Sequence, residues 1–290
     1  MLNSPSRTAL MAAAARAAHR TIDRSPVIFS DPLAQALCGA HADALIGYHH
    51  AHGAHPVLAG ARVCATTRAR FTEDRLADAV EHGITQYVVL GAGLDTFAYR
   101  SAGSAVRVFE VDLPATQEWK RQTLREAGIA IPDNVVFVPA DLAAGSVTER
   151  LEAAGFDPSR PAFTAMLGVS MYLTSAALGR ILETVGRWAP GSELVMDHLL
   201  PEGDRDDAGQ AYAAAVQTAA ADGGETWRTF LTREEAAGLL ERCGLTVLEQ
   251  AGVRASVDAA LWERTDALRP LELPVLTYAR LGRERPGPAA

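Results

Sequence analysis

Residues 86–96 read QYVVLGAGLDT, a largely apolar run that ends in two glycines one residue apart, Gly91 and Gly93. A short apolar run without alternation fits a strand buried on both faces, and glycines at its end let the chain turn sharply and approach a ligand closely. The next apolar run, Val106–Val111 (VRVFEV), closes with Asp112, 19 residues after Gly93. A carboxylate at the end of a second strand can accept both ribose hydroxyls of an adenosine. Taken singly, the glycines could be a plain tight turn and Asp112 a cap for the helix that Pro114 opens. Together, at this spacing, they favour a nucleoside site. A dinucleotide fingerprint would place a third glycine at position 96, where this chain has Thr96, which weakens a nicotinamide reading.

Outward from that stretch the same rhythm repeats. Val135–Val138, Phe163–Leu167 and Glu193–Met196 read as further strands, separated by predicted helices at Pro114–Ala127, Val147–Ala154 and Ser175–Trp188. Strands alternating with helices predict an α/β fold with a doubly wound, mostly parallel sheet. Leu245–Leu248 and Val275–Leu281 would bring the sheet to seven strands. Ahead of it, Ser4–Arg20 and Pro56–Glu81 read as N-terminal helices, and Asp31-Pro32 as a helix start. After it, Asp204–Ala221 reads as an inserted helix, and Thr232 with Glu235 has capping-box spacing. The expected organisation is a helical cap over 1–83 and an α/β core over 84–290, with a lid insertion at about 201–230. Ligands of such sheets lie at the carboxyl ends of the strands, which points to Gly91, Asp112, Asp141, Leu167 and Asp197.

Composition narrows the function classes. The 290 residues are 48% hydrophobic and 21% charged, globular values, with a formal net charge of -8. No long basic run tracks a phosphate backbone, so nucleic acid is not the expected partner. Cys38, Cys64 and Cys243 are odd in number and lack CxxC spacing, which argues against a disulfide framework or a cysteine zinc site. No apolar run reaches the ~18 residues of a membrane helix, and the Ala-rich start is interrupted by Arg16. A cytoplasmic protein is expected.

Several side chains are candidates for chemistry. Arg70 has Glu73 and Asp74 at helical spacing and reads as a solvated ion pair. Arg68 has no such acid, nor has Arg62, so either could bind an external carboxylate. His49, His50, His52 and His55 fall within HHAHGAH. Metal ligation is conceivable there, but a polar loop between helices is preferred and no metal is assigned. Tyr172 and His198 follow the fourth and fifth strands and could face a substrate as catalytic groups; a core tyrosine and a surface histidine are the alternatives.

The motifs LGAGLDT (90–96), EVDLP (110–114) and MYLT (171–174), taken in order, resemble the leucine carboxyl methyltransferase family, and more closely its actinobacterial branch of polyketide carboxyl methylases. The resemblance implies a Rossmann-like class I methyltransferase fold. It also implies S-adenosyl-L-methionine as cofactor and O-methylation of a small-molecule, natural-product acceptor, a carboxylate in preference to a hydroxyl. The family's RTRxxD pattern stands here as Arg68-Ala69-Arg70-Phe71-Thr72-Glu73, so Arg68 would bind the cofactor's carboxylate. Gly91 would lie against its methionine part, and Gly93 and Asp95 of the same turn are further cofactor-binding candidates. Asp112 would take the ribose hydroxyls, Asp141-Leu142 would flank the adenine, and Leu113 is a further cofactor-binding candidate. Where the family has a glutamate contacting the cofactor near its amino group, this chain has Leu167. An NAD-dependent oxidoreductase and a non-catalytic cofactor-binding protein are the competing readings, the latter motivated by Leu167.

Overall fold

The computed structural model describes residues 6–101, 105–145, 147–222 and 225–282. Seven strands form one sheet: β1 (Gln86–Leu90), β2 (Arg107–Asp112), β3 (Val135–Pro139), β4 (Phe163–Met166), β5 (Glu193–Leu199), β6 (Leu245–Gly252) and β7 (Pro274–Leu281). Their order is β3-β2-β1-β4-β5-β7-β6, parallel except for β7, which runs antiparallel to both β5 and β6. The order reverses between β1 and β4, so the topological switch lies at the carboxyl ends of these two strands, where Gly91 and Gly168 follow. The expected doubly wound sheet is present.

Side chains alternate between the two faces of each strand, and both faces are covered. Leu90, Val111, Met166 and Leu194 face one core, closed by α7 (Thr148–Ala153), α8 (Ser175–Val185) and α10 (Arg233–Arg242). Tyr87, Val89, Ala165 and Val195 face the other, which is closed by α1 (Arg7–Ile22), α4 (Pro56–Glu81) and α6 (Pro114–Glu126). The N-terminal segment read as a cap thus supplies one layer of the sandwich. Alanine makes this possible: Ala13, Ala14 and Ala18 of α1 are fully buried, and small side chains let α1 lie close to α4. Between these helices come the short α2 (Ala34–Leu37) and α3 (Ala42–His52), and after β1 the short α5 (Phe97–Arg100). The helix start read at Asp31-Pro32 is real: Asp31 Oδ1 accepts the Leu33 and Ala34 N–H groups. The inserted helix, α9 (Asp207–Asp222), rests on α4 at Gly60, where a Cβ would come within 2.7 Å of the Tyr212 ring. The capping box at Thr232 and Glu235 forms as expected. No described helix is long and apolar enough to cross a membrane.

Two readings need correction. HHAHGAH is not a loop. His49, His50 and His52 belong to α3, and His55 caps α4 by accepting Val57 N–H. The described residues hold no group of three or more metal-ligating side chains. Arg62, unpaired along its own helix, is fully buried and makes a bidentate pair with Asp23 at 2.7 and 2.9 Å. It also donates to Gly53 O at 2.8 Å. Helical spacing could not reveal that partner because Asp23 lies 39 residues away. His19 Nε2 accepts Ile28 N–H, so its proton sits on Nδ1 and goes to Asp23. Arg70 behaves as read, paired with Asp74 in solvent, whereas Glu73 turns to Arg100.

These two pairs should differ sharply in value. Asp23→Ala strands a buried guanidinium and is expected to cost about 3–5 kcal/mol in urea unfolding. Asp74→Ala should cost under about 0.5 kcal/mol. Equal effects would show that the Arg62 cluster is not an anchor.

Candidate functional site

The turn after β1 is built by backbone demands. Gly91 and Gly93 have φ of +70° and +48°, which side-chain-bearing residues rarely adopt. Gly91 N–H and Ala92 N–H both donate to Val111 O, at 2.8 and 3.0 Å, so the turn folds over the end of β2. Gly93 N–H then donates to Asp112 Oδ2 at 2.6 Å, while Leu113 N–H donates to Oδ1 at 2.7 Å. Burial pushes the Asp112 carboxyl above its usual range, and these two N–H groups pull it back only in part. Both faces of the turn are crowded: a Cβ on Gly91 would meet Val169 Cγ2 at 2.4 Å, and one on Gly93 would meet Ala9 of α1 at 3.3 Å. Arg16 of α1 adds a 2.6 Å bond to Leu94 O, tying that helix to the same turn.

The other strand-end residues divide. Asp141 is exposed next to Ala140, whose N–H donates to Asp112 O, so the acids of the second and third strand ends are neighbours. One Asp141 oxygen caps the local turn at Ala143 N–H, and Leu142 packs into the α8 side of the core. Leu113 stays 46% exposed beside Asp112, an apolar surface next to an acid. Asp95 is spent differently: its Oδ1 accepts Phe97 N–H and starts α5.

Arg68 has a partner that its own helix does not supply. Its Nη1 lies 3.5 Å from Asp197 Oδ2, at the end of β5. Asp197 is buried, and its other oxygen accepts Gly168 N–H at 2.7 Å. Burial raises its pKa, against the pull of Arg68. One step past the last registered pair of β4 and β5, Met166↔Met196, stand Leu167 and Asp197. An acid therefore stands beside position 167, on the neighbouring strand. The strand-end rule pointed to Asp197, but nothing in the sequence joined it to Arg68.

Tyr172 and His198 do not come together. Tyr172 packs among Met171, Tyr212, Trp227 and Phe230, and burial holds its phenol protonated well past neutrality. Arg228 N–H donates to Met171 O at 2.6 Å, and Thr8 N–H to Glu225 Oε2 at 3.0 Å. The chain after α9 therefore closes against both the Tyr172 turn and the first turn of α1. Cys64, one turn before Arg68, packs in the same cluster, and burial lifts its thiol to about 12. His198 alternates with Asp197 and shares its face with Leu194 and Met196, towards α8 and α10. It is 1% exposed, neither ring nitrogen has a hydrogen-bond partner, and burial followed by Arg233 lowers its pKa to about 4. It is not the surface histidine considered from the sequence.

A family model described as leucine carboxyl methyltransferase matches residues 9–186, more than half of the chain. The chain belongs to the leucine carboxyl methyltransferase family. A Bacillus subtilis relative, "Putative S-adenosyl-L-methionine-dependent methyltransferase YktD", is 32% identical over 71% of this chain and 68% of its own length. A Mycobacterium avium protein of the same description is 34% identical over 67% of this chain and 65% of its own. A solved DUF574 family protein from Streptomyces avermitilis shares the fold over 96% of this chain and 98% of its own, with a TM-score of 0.63 and 18% identity. Family membership makes this a methyltransferase of the S-adenosylmethionine-dependent class and displaces the nicotinamide oxidoreductase reading.

Two outcomes are expected. Asp112→Asn should raise the Kd for S-adenosylhomocysteine by at least about tenfold in calorimetry, the value of a charge-assisted bond. If Asp112 takes the ribose hydroxyls, only its ionised form accepts both, and because its pKa is raised, wild-type affinity should fall as pH drops, starting above the ordinary aspartate range. Unchanged affinity with lowered stability would make Asp112 a cap. For His198, the unfolded chain binds the proton that the folded one refuses, so stability should drop as pH falls from about 6.5 towards 4. His198→Leu should remove part of that drop in denaturation curves, and a variant as acid-sensitive as wild type would refute it.

Proposed function

We propose that the protein transfers a methyl group from S-adenosylmethionine to the oxygen of a small-molecule carboxylate, of the kind found in natural products. The observation that carries the carboxylate preference is the absence of a free base among the candidates considered. His198 is turned to the α8 and α10 side, and Tyr172 is held protonated by burial. A hydroxyl acceptor would need a base to remove its proton, whereas a carboxylate is already ionised at neutral pH.

The donor is assigned to the strand ends. Asp112 takes the ribose hydroxyls, Leu113 and Asp141-Leu142 border the adenine, and Gly91 and Gly93 pass beneath the methionine chain, whose carboxylate meets Arg68. Asp95 and Leu167 act on the turn and the core rather than by charge. In this reading the donor supplies an electrophilic methyl on a sulfonium. The chain contributes alignment of the acceptor oxygen with that methyl, and the insertion around α9 excludes water. The aromatic cluster of Tyr172, Tyr212, Trp227 and Phe230 suits an apolar acceptor body.

The test is methyl transfer to a panel of aromatic and aliphatic acids, phenols and alcohols, with base-labile methyl esters as the expected product. His198→Gln should keep kcat within about threefold, since removing a general base costs about 10²–10⁴. Phenols outcompeting every acid, or a large loss in His198→Gln, would overturn the carboxylate reading. Donor binding without turnover of any acceptor would favour a non-catalytic protein.

A further inference from the structure

Arg68 and Asp197 are opposite charges held close without being joined. Their nearest approach, 3.5 Å, is the outer edge of a hydrogen bond, although Asp197 is only 2% exposed. A buried carboxylate facing a guanidinium can close a bidentate contact, as Asp23 does with Arg62 in this same chain. Here the backbone fixes both partners. Asp197 Oδ1 is taken by Gly168 N–H, and Arg68 lies so tightly against Gly168 that a Cβ there would come within 2.8 Å of Nη1. Among the described residues the Arg68 guanidinium has no other hydrogen bond. Among the described residues, Asp197 Oδ2 and the Arg68 N–H donors are thus left without a close hydrogen-bond partner. Asp197 is buried and Arg68 only partly so, and a pair kept open in this way forgoes the charge-assisted hydrogen bonds that would offset the desolvation of the carboxylate, a cost expected where function requires it.

A carboxylate and an ammonium carried on one carbon would satisfy both partners at once. We propose that Arg68 and Asp197 form a clamp for an α-amino-acid zwitterion, with the guanidinium taking its carboxylate and Asp197 Oδ2 its ammonium. The inference rests on the reading of these strand ends as the methyl-donor site, where the zwitterion is the amino-acid end of the donor. The surroundings fit. Val169, next to Gly168, presses on Gly91, and Gly93 of the same turn holds Asp112. The clamp and the ribose acid therefore stand at the two ends of one glycine turn. Asp197 becomes the residue that selects donors with a free α-amino group.

Calorimetry with three probes tests this: S-adenosylhomocysteine, its analogue lacking the α-amino group, and methylthioadenosine, which lacks the whole amino-acid end. Wild type should prefer S-adenosylhomocysteine to the deaminated analogue by at least about tenfold. Asp197→Asn keeps the shape and should reduce that preference to below about twofold while leaving methylthioadenosine affinity unchanged. Arg68→Gln, which removes the partner of the carboxylate, should weaken S-adenosylhomocysteine and its deaminated analogue alike and leave methylthioadenosine affinity unchanged. If Asp197→Asn weakens all three probes alike, or keeps the preference, the clamp is wrong. Should that variant not fold, a wild type indifferent to the α-amino group overturns it equally. Wild type binding methylthioadenosine as tightly as S-adenosylhomocysteine would overturn the clamp but keep the donor site. Wild type binding none of the three would remove both.

Discussion

The bond from Gly93 N–H to Asp112 holds the ends of β1 and β2 in one turn, and the remaining site geometry is arranged around it. Parallel strands leave their terminal N–H and C=O groups at one edge of the sheet with no continuing partner, and each must be satisfied or left to a ligand. Here Val111 O takes two N–H groups of the glycine turn, and Asp112 takes two more. The acid is thereby oriented by backbone, which does not depend on any side-chain rotamer. Its raised pKa is the cost of that partial burial.

The N-terminal helices are part of this edge. α1 reaches it through Ala9 against Gly93 and Arg16 on Leu94 O, and Arg16 is held in turn by Asp31 at 2.8 Å. α4 reaches it through Arg68. Both helices pack on the sheet face that carries Val89, Ala165 and Val195, so the sheet core also sets where these two arginines stand. The Arg62–Asp23 cluster fixes α4 against the chain that follows α1.

Charge at the site is sparse and placed. Asp112 and the open Arg68–Asp197 pair lie on either side of the glycine turn, while the Tyr172 cluster beyond is aromatic. In the proposed reading, a site of this composition would bind a polar, charged donor at one end and an apolar acceptor at the other, and would leave proton transfer to the acceptor's own ionisation. The leucine at position 167 is then less of a defect than it looks, because an acid stands beside it on β5.

By itself the sequence determined the strand–helix alternation, the glycine turn, the acid 19 residues on and the family to which these motifs belong. All depend on residues near one another along the chain, where periodicity and turn chemistry act. It also carried the capping box at Thr232 and the exposed Arg70–Asp74 pair, whose partners lie within one helical turn. Only the tertiary structure decided that HHAHGAH is mostly helix, because packing beside Arg62 outweighed its loop-like composition. The same holds for Arg62 finding Asp23, Arg68 meeting Asp197, and His198 facing away from both. Those outcomes turn on which strand lies beside which, and on which face a residue takes, so they are fixed by contacts between segments far apart in the chain, which no local pattern encodes.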